Sequence, residues 1–120
     1  MEIIRWFVRW LVLLVDLLFR PGFLQHDEVK QRSIDKEASE LILYEFEACP
    51  FCVKVRWALR RLGVTIQRRD ARKDPSYRDK LLSGGGKVQV PCLYIASEGQ
   101  ERWLYESSKI IEFLEKKFSF

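Results

Sequence analysis

The sequence predicts an α/β domain, a four-stranded mixed sheet flanked by helices, preceded by an amphipathic N-terminal helix. Three observations carry this. From Leu41 onward, apolar runs of strand length alternate with stretches of helical spacing in the order βαβ, helix, ββ, helix. The opening βαβ unit requires a right-handed parallel crossover, and a short turn makes the last two strands an antiparallel hairpin. Finally, Cys49-Pro50-Phe51-Cys52 stands where the first strand gives way to the first helix of that series.

Residues 1–24 form the first stretch. Ile3 to Phe19 is dominated by Trp, Phe, Val and Leu, interrupted by Arg5, Arg9 and Asp16. It is short for a membrane span, which needs ~20 predominantly apolar residues. At helical spacing Glu2, Arg5, Arg9, Asp16 and Arg20 fall within one stripe of roughly 60°, and the remaining circumference is apolar. A spanning pose would bury Arg5, Arg9 and Asp16 at about 2.5–3.5 kcal/mol each. The pattern suits a helix lying on a membrane surface, with Trp6 and Trp10 at headgroup depth. It also suits a helix docked on protein. A signal peptide is disfavoured, because there is no small-residue cleavage site and Asp16 interrupts the apolar core.

Pro21-Gly22 breaks the chain, and residues 25–40 are polar with only isolated Val29 and Ile34. They are read as a linker with room for one solvated helical segment, and His26 as solvent-exposed. Residues 41–120 form the folded domain. Leu41–Phe46 reads as a strand, and Pro50–Leu62 as a helix ended by Gly63, with Val55, Ala58, Leu59 and Leu62 on one face. Val64–Arg69 alternates as a second strand. Asp74-Pro75 opens a helix to about Leu82, which Gly84-Gly85-Gly86 stops. Pro91–Ala96 and Arg102–Tyr105 read as strands joined by a Ser97–Gln100 turn. Ser107 can N-cap a last helix whose Ile110, Ile111, Leu114 and Phe118 face inward.

The CxxC carries the chemistry. A Cys at a helix N-cap meets unpaired backbone N–H groups and the positive end of the helix dipole, which stabilise its thiolate. Pro50 suits the first helical position, where no N–H is needed. Cys52, one turn on, shares that face and can close a disulfide with Cys49. A zinc knuckle would need a second ligand pair, and the remaining Cys92 and His26 are poorly spaced for one. One CxxC plus one odd thiol suits a reducing compartment. A net charge of +4, spread among acidic residues with only the local pairs Arg60-Arg61 and Arg68-Arg69, gives no footprint for nucleic acid.

In this element order, with CPFC after the first strand and Val90-Pro91 before the third, the chain resembles the glutaredoxins. It resembles still more closely the glutathione-binding N-terminal domain of the glutathione S-transferases. The likeness covers Leu41 to Phe118 and rests on YEFEACPFC (Tyr44–Cys52), KVQVPCL (Lys87–Leu93) and YESS (Tyr105–Ser108). Val90-Pro91 is similar to the family's cis-proline signature, and Glu106-Ser107 to the pair that holds the γ-glutamyl group of glutathione. The resemblance implies a thioredoxin-like fold of the glutaredoxin type. It implies Cys49 as nucleophile, Cys52 as resolving thiol, and Phe51, Val90, Pro91, Glu106 and Ser107 as glutathione-binding residues. Glutathione is then the co-substrate, no metal is expected, and the partners are disulfide-containing or glutathionylated proteins. A plain trans proline opening a strand, and an ordinary cap beside a dipole-compensating acid, remain the structural alternatives for the second and third motifs.

Departures from the pattern bear on the site. Many glutaredoxins carry Lys three residues before the first Cys, where this chain has Phe46, so the glycyl carboxylate needs Lys87, Gln89 or Arg72. Cys92 is either a small buried strand residue or a third redox thiol. Lys54 or Arg56 can add to thiolate stabilisation. The long helical domain of a transferase is not expected in this length. The expected activity is glutathione-dependent thiol–disulfide exchange on the cytoplasmic side of a membrane, or in the soluble cytoplasm if the first helix docks on protein. The rivals are a transferase-like protein and a non-enzymatic tethered domain holding glutathione, a partner or an iron–sulfur cluster.

Overall fold

Leu41–Glu45 (β1) is apolar on both faces apart from its last residue, and it takes the interior of the sheet. The computed structural model describes residues 2–97 and 99–118; Met1, Glu98 within the Ser97–Gln100 turn, Ser119 and Phe120 lie outside them. Around β1 the described elements are α1 (Glu2–Phe19), α2 (Glu28–Ala38), α3 (Pro50–Leu62), β2 (Gln67–Asp70), α4 (Pro75–Gly85), β3 (Cys92–Ser97), β4 (Gln100–Tyr105) and α5 (Ser107–Lys117). The sheet order is β2-β1-β3-β4, with β1 parallel to β2 and antiparallel to β3, and β3 antiparallel to β4. The predicted parallel pairing of the βαβ unit and the antiparallel β3–β4 hairpin are both present.

Two cores flank this sheet. On one face Leu43, Leu93 and Ile95 meet Val55 and Leu59 of α3 and Ile110, Leu114 and Phe118 from the α5 end. On the other, Tyr44 and Cys92 meet Leu81 of α4 and the half-buried Tyr77, Trp103 and Tyr105. Each fully buried Leu, Ile or Val removes enough apolar surface to stabilise the fold by about 1.5–3 kcal/mol.

Several local readings change. The β2 ladder begins at Gln67 rather than Val64, because Val64 donates its N–H to the Leu59 carbonyl in closing α3 at the left-handed Gly63. Helix α4 runs through Gly84 and Gly85 instead of stopping at Leu82, and ends at Gly86 (φ 89°). The two glycines let the helix lie directly against Trp103 and Tyr105, into which a Cβ at either position would project. Ser107 is the first residue of α5 rather than its cap. Glu106 holds the cap position with φ 72°, and neither side chain makes a capping hydrogen bond. Residues 25–40 contain α2, capped by Asp27, and that helix is not solvated all round: Ile34 and Ala38 enter the larger core.

The chain between α1 and α2 is pinned to α3. Arg60 Nε donates to the Pro21 carbonyl at 2.6 Å, and Leu24 N–H donates to the Arg60 carbonyl at 2.9 Å. His26 is half-buried instead of solvent-exposed, with Nε2 2.9 Å from the Leu62 carbonyl, to which it must donate.

Helix α1 docks on the domain through Asp16 of its charged stripe and leaves most of its apolar side chains exposed. Asp16 is buried, accepting from the Trp57 indole N–H at 2.7 Å and pairing with Arg56 at 3.5 Å and Arg20 at 3.4 Å. Ile3, Trp6, Phe7, Trp10, Leu14 and Leu18 are exposed, Ile3 by 79%. Trp6 and Trp10 pack together with ring centroids 5.9 Å apart. Among the described residues no helix is long and apolar enough to cross a membrane.

Candidate functional site

Cys49 is the N-cap of α3, with extended backbone (φ −83°, ψ 123°), and Pro50 follows in the first turn. Both thiols of the CxxC are free; Cys49 is half-buried and Cys52 fully buried. The Cys52 S–H donates to the Cys49 sulfur and is the leading cause that lowers the Cys49 pKa to about 6. Backbone N–H groups of Cys52 and Phe51 add to it, as does the charge of Arg56, while burial opposes it. Stabilisation therefore rests first on the neighbouring thiol, a partner that reasoning from the helix terminus alone does not supply. Lys54 lies over the Phe51 ring, 5.5 Å from its centroid, and is not among the causes. Cys52 moves the other way, pushed well above the ordinary thiol range by its hydrogen bond to Cys49 and by burial, with the charges of Cys49 and Glu45 adding.

Arg56 is the hub beneath this pair. It is buried on α3 and donates Nη1 to Glu45 Oε1 at 3.2 Å and Nη2 to the Glu47 carbonyl at 2.8 Å. Arg68 also reaches Glu45 at 3.4 Å. Burial raises the Glu45 pKa, and the two guanidiniums oppose that rise. Its second oxygen has no hydrogen-bond partner among the described residues.

Strand register gathers the three motifs at one end of the sheet. Tyr44 pairs with Cys92, and Cys92 with Tyr105, so the end of β1, the start of β3 and the end of β4 stand level. The CxxC follows β1, Val90-Pro91 precedes β3, and Glu106-Ser107 follows β4, all at that end. The Val90–Pro91 peptide is cis. Phe51 is 55% exposed at the start of α3. Glu106 is exposed and faces Lys109 at 3.7 Å, and Ser107 is half-buried. Cys92 is fully buried beside Tyr44 and Leu81, and burial pushes its pKa up to about 12, which makes it a core residue.

One flank of the thiol site is built by α1. A cleft of about 880 Å³ is lined by Cys49, Phe46 and Val88 from the domain and by the N-terminal half of α1. Arg72, one of the three residues considered for the glycyl carboxylate, lies in this cleft with Arg78, Arg5 and Arg9. Lys87 instead lies over the Tyr105 ring at 4.6 Å, and Gln89 is exposed outside the cleft lining. Sequence reasoning missed Arg5, Arg9 and Arg78 as site residues. The charged stripe placed the first two on one helix face, but no local pattern told which surface that face would meet.

The sequence pattern of the glutathione S-transferase N-terminal domain matches residues 43–119. The chain belongs to this family. Membership agrees with the resemblance carried by CPFC, Val90-Pro91 and Glu106-Ser107. Among solved structures, this transferase-type domain is similar to a maleylacetoacetate isomerase from Anaeromyxobacter dehalogenans, which holds dicarboxyethyl glutathione and citrate in its active site (24% identity, 68% of this chain and 38% of that one, TM-score 0.52). It is similar to a glutathione transferase Omega 3C from Trametes versicolor (21% identity, 79% and 42%, TM-score 0.54). A thioredoxin-like protein matches over 64% of this chain and 91% of its own, at 26% identity and TM-score 0.53. The fold is therefore thioredoxin-like. The chain spans less than half the length of the isomerase and the transferase. No curated protein sequence matches it.

Proposed function

We propose that this domain is a glutathione-dependent thiol–disulfide oxidoreductase that reduces glutathionylated or disulfide-bonded proteins. The observation that carries the reading is the asymmetry of the thiol pair: a half-exposed Cys49 ionised at neutral pH, held by the S–H of a buried Cys52. Such a pair suits a nucleophile and a resolving thiol. The Cys49 thiolate attacks a disulfide sulfur; the S–S bond breaks, and the leaving thiolate takes a proton from water. With a glutathionylated substrate, Cys49 then carries glutathione. A second glutathione thiolate attacks that glutathionyl sulfur, releasing Cys49 as thiolate and oxidised glutathione. With a protein disulfide, Cys52 attacks Cys49 instead, and glutathione reduces the resulting pair. Once Cys49 is in a disulfide it is uncharged and no longer accepts from Cys52, so the effects that hold the Cys52 proton weaken when its thiolate is needed.

In this reading glutathione lies along the sheet end where the motifs meet. Its γ-glutamyl carboxylate faces the free N–H groups of α5 at Ser107, and its ammonium faces Glu106. Its cysteinyl backbone lies against Val90 and Pro91, Phe51 covers the side of its sulfur, and Arg72 takes the glycyl carboxylate. The glutathione derivative in the isomerase active site supports a glutathione ligand here. Family membership also favours a second reading, addition of glutathione to an electrophile.

We further propose that α1 holds the domain on the cytoplasmic surface of a membrane. Asp16 of its charged stripe is taken up by the domain, and most of its apolar side chains stand exposed with a Trp6–Trp10 pair, as an interfacial helix requires. The deciding experiment for the chemistry is a glutathione-coupled reduction assay on the full chain. Wild type should turn over a glutathionylated peptide and a protein disulfide, Cys49→Ser neither, and Cys52→Ser only the former. Conjugation of an electrophile with no disulfide reduction would establish the transferase reading instead.

A further inference from the structure

The cleft between α1 and the CxxC carries more positive charge than one glutathione needs. Arg5 and Arg9, one turn apart on α1, and Arg72 and Arg78, flanking the start of α4, all line it. No hydrogen bond or ion pair among the described residues holds any of the four guanidinium groups. Glu2 is the single acid in the lining. Gathering four like charges around one cavity is unfavourable unless an anion enters it. Phe46 and Val88 give the same cavity an apolar floor, and Cys49 opens into it. At about 880 Å³ it lies toward the upper end of the range for ligand sites, leaving room beside glutathione for a neighbouring segment of chain.

We propose that this cleft is a second subsite that selects disulfides whose leaving peptide is acidic, with Arg5, Arg9 and Arg78 receiving its carboxylates. The proposal rests on the thiol–disulfide reading above and names the substrate class that reading leaves open. In the reaction, Cys49 sulfur bonds to the glutathionyl sulfur while the bond from that sulfur to the peptide sulfur breaks. The acidic peptide departs as a thiolate, is protonated by water, and leaves the arginines free. Glutathione, as reductant, then restores Cys49. Two of the selecting residues come from α1, so docking of that helix through Asp16 completes the substrate site.

The test uses the full chain and three glutathionylated peptides with acidic, neutral or basic residues flanking the cysteine. Wild type is expected to favour the acidic over the basic peptide about tenfold or more in kcat/KM at low salt, with the ratio shrinking as salt rises. Arg5→Gln with Arg9→Gln should cut the ratio about threefold to tenfold, and Lys at both positions should restore most of it. Equal kcat/KM for all three peptides overturns the proposal, as does a ratio that survives the double Gln substitution. Loss of the ratio on adding phosphatidylserine vesicles would assign the arginines to lipid headgroups, and also overturns it. If wild type turns over none of the peptides, the redox reading fails and the cleft is judged by binding alone. Calorimetric titration of Cys49→Ser protein with serine-for-cysteine peptides should then give tighter binding of the acidic one. Equal affinities for acidic and basic peptides would dismiss the subsite.

Discussion

The indole N–H of Trp57 on α3 donates to the carboxylate of Asp16 on α1 at 2.7 Å, and the preceding residue of α3, Arg56, pairs with the same carboxylate. A buried acid satisfied by an indole and a guanidinium is the fixed point at which the first helix meets the domain. Asp16→Ala should therefore loosen α1 while leaving the sheet intact, since Arg56 keeps Glu45 and the Glu47 carbonyl. The expected cost is about 1–3 kcal/mol in denaturant unfolding, with faster proteolysis at Arg20. Asp16→Asn should cost less, because the amide oxygen still accepts from Trp57. An unaltered cleavage rate in the Ala variant would mean that α1 is held by other contacts.

Alkylation of Cys49 should follow its ionisation. Its folded pKa lies below the ordinary thiol value, so the thiolate is present above pH 6 and is lost as pH falls through about 6. Iodoacetamide reactivity should therefore be half-maximal near that pH, with Cys52 unmodified. Removing the leading donor by Cys52→Ala should raise the Cys49 midpoint by about one to two pH units, the worth of a hydrogen bond to a charged acceptor. A midpoint unmoved in that variant would return the stabilisation to the helix terminus.

Glu106 is the one non-glycine residue with positive φ among the described residues. That backbone costs of order 1–3 kcal/mol, and glycine would adopt it freely while giving up about 0.5–1 kcal/mol in chain entropy. Glu106→Gly should hold or raise thermal stability. It should also raise KM for glutathione about tenfold with little change in kcat, because the side chain faces a part of the ligand remote from sulfur. Stability and KM moving in opposite functional directions would identify a residue kept for its ligand. Unchanged KM would leave Glu106 as an acid that compensates the dipole at the start of α5.

Membrane attachment should depend on the outward face of α1. Phe7→Glu with Leu14→Glu replaces two exposed residues, so folding should persist while co-flotation with lipid vesicles is lost, each buried apolar side chain contributing about 1.5–3 kcal/mol. Wild-type protein that stays at the bottom of the gradient with vesicles present would dismiss the anchor.

Much of this architecture is legible from spacing. Pro50 and Gly63 bracket α3 because one residue lacks a donor that the helix start does not need and the other accepts a left-handed cap. The CxxC, Val90-Pro91 and Glu106-Ser107 are legible as motifs, and strand register then brings them to one end of the sheet. What sequence withheld was tertiary. Ile34 and Ala38 look isolated in a polar run, yet one helix turn apart they reach the core. Gly84 and Gly85 carry the signal of a helix stop, but their meaning is the approach of Trp103 and Tyr105. Arg5 and Arg9 are distant in sequence from Cys49, and only the docking of Asp16 brings them beside it.

The hydrogen bonds from Arg60 to Pro21, from Leu24 to Arg60 and from His26 to Leu62 have a geometric consequence. A floppy tether would let the thiol roam through a hemisphere above its attachment point. Here the strap is stitched down, so on the proposed membrane attachment the Cys49 thiol would keep one altitude and one bearing above the plane beneath α1. Proposed targets would then be sorted by where along the surface normal their sulfur atoms lie, by height as well as by chemistry.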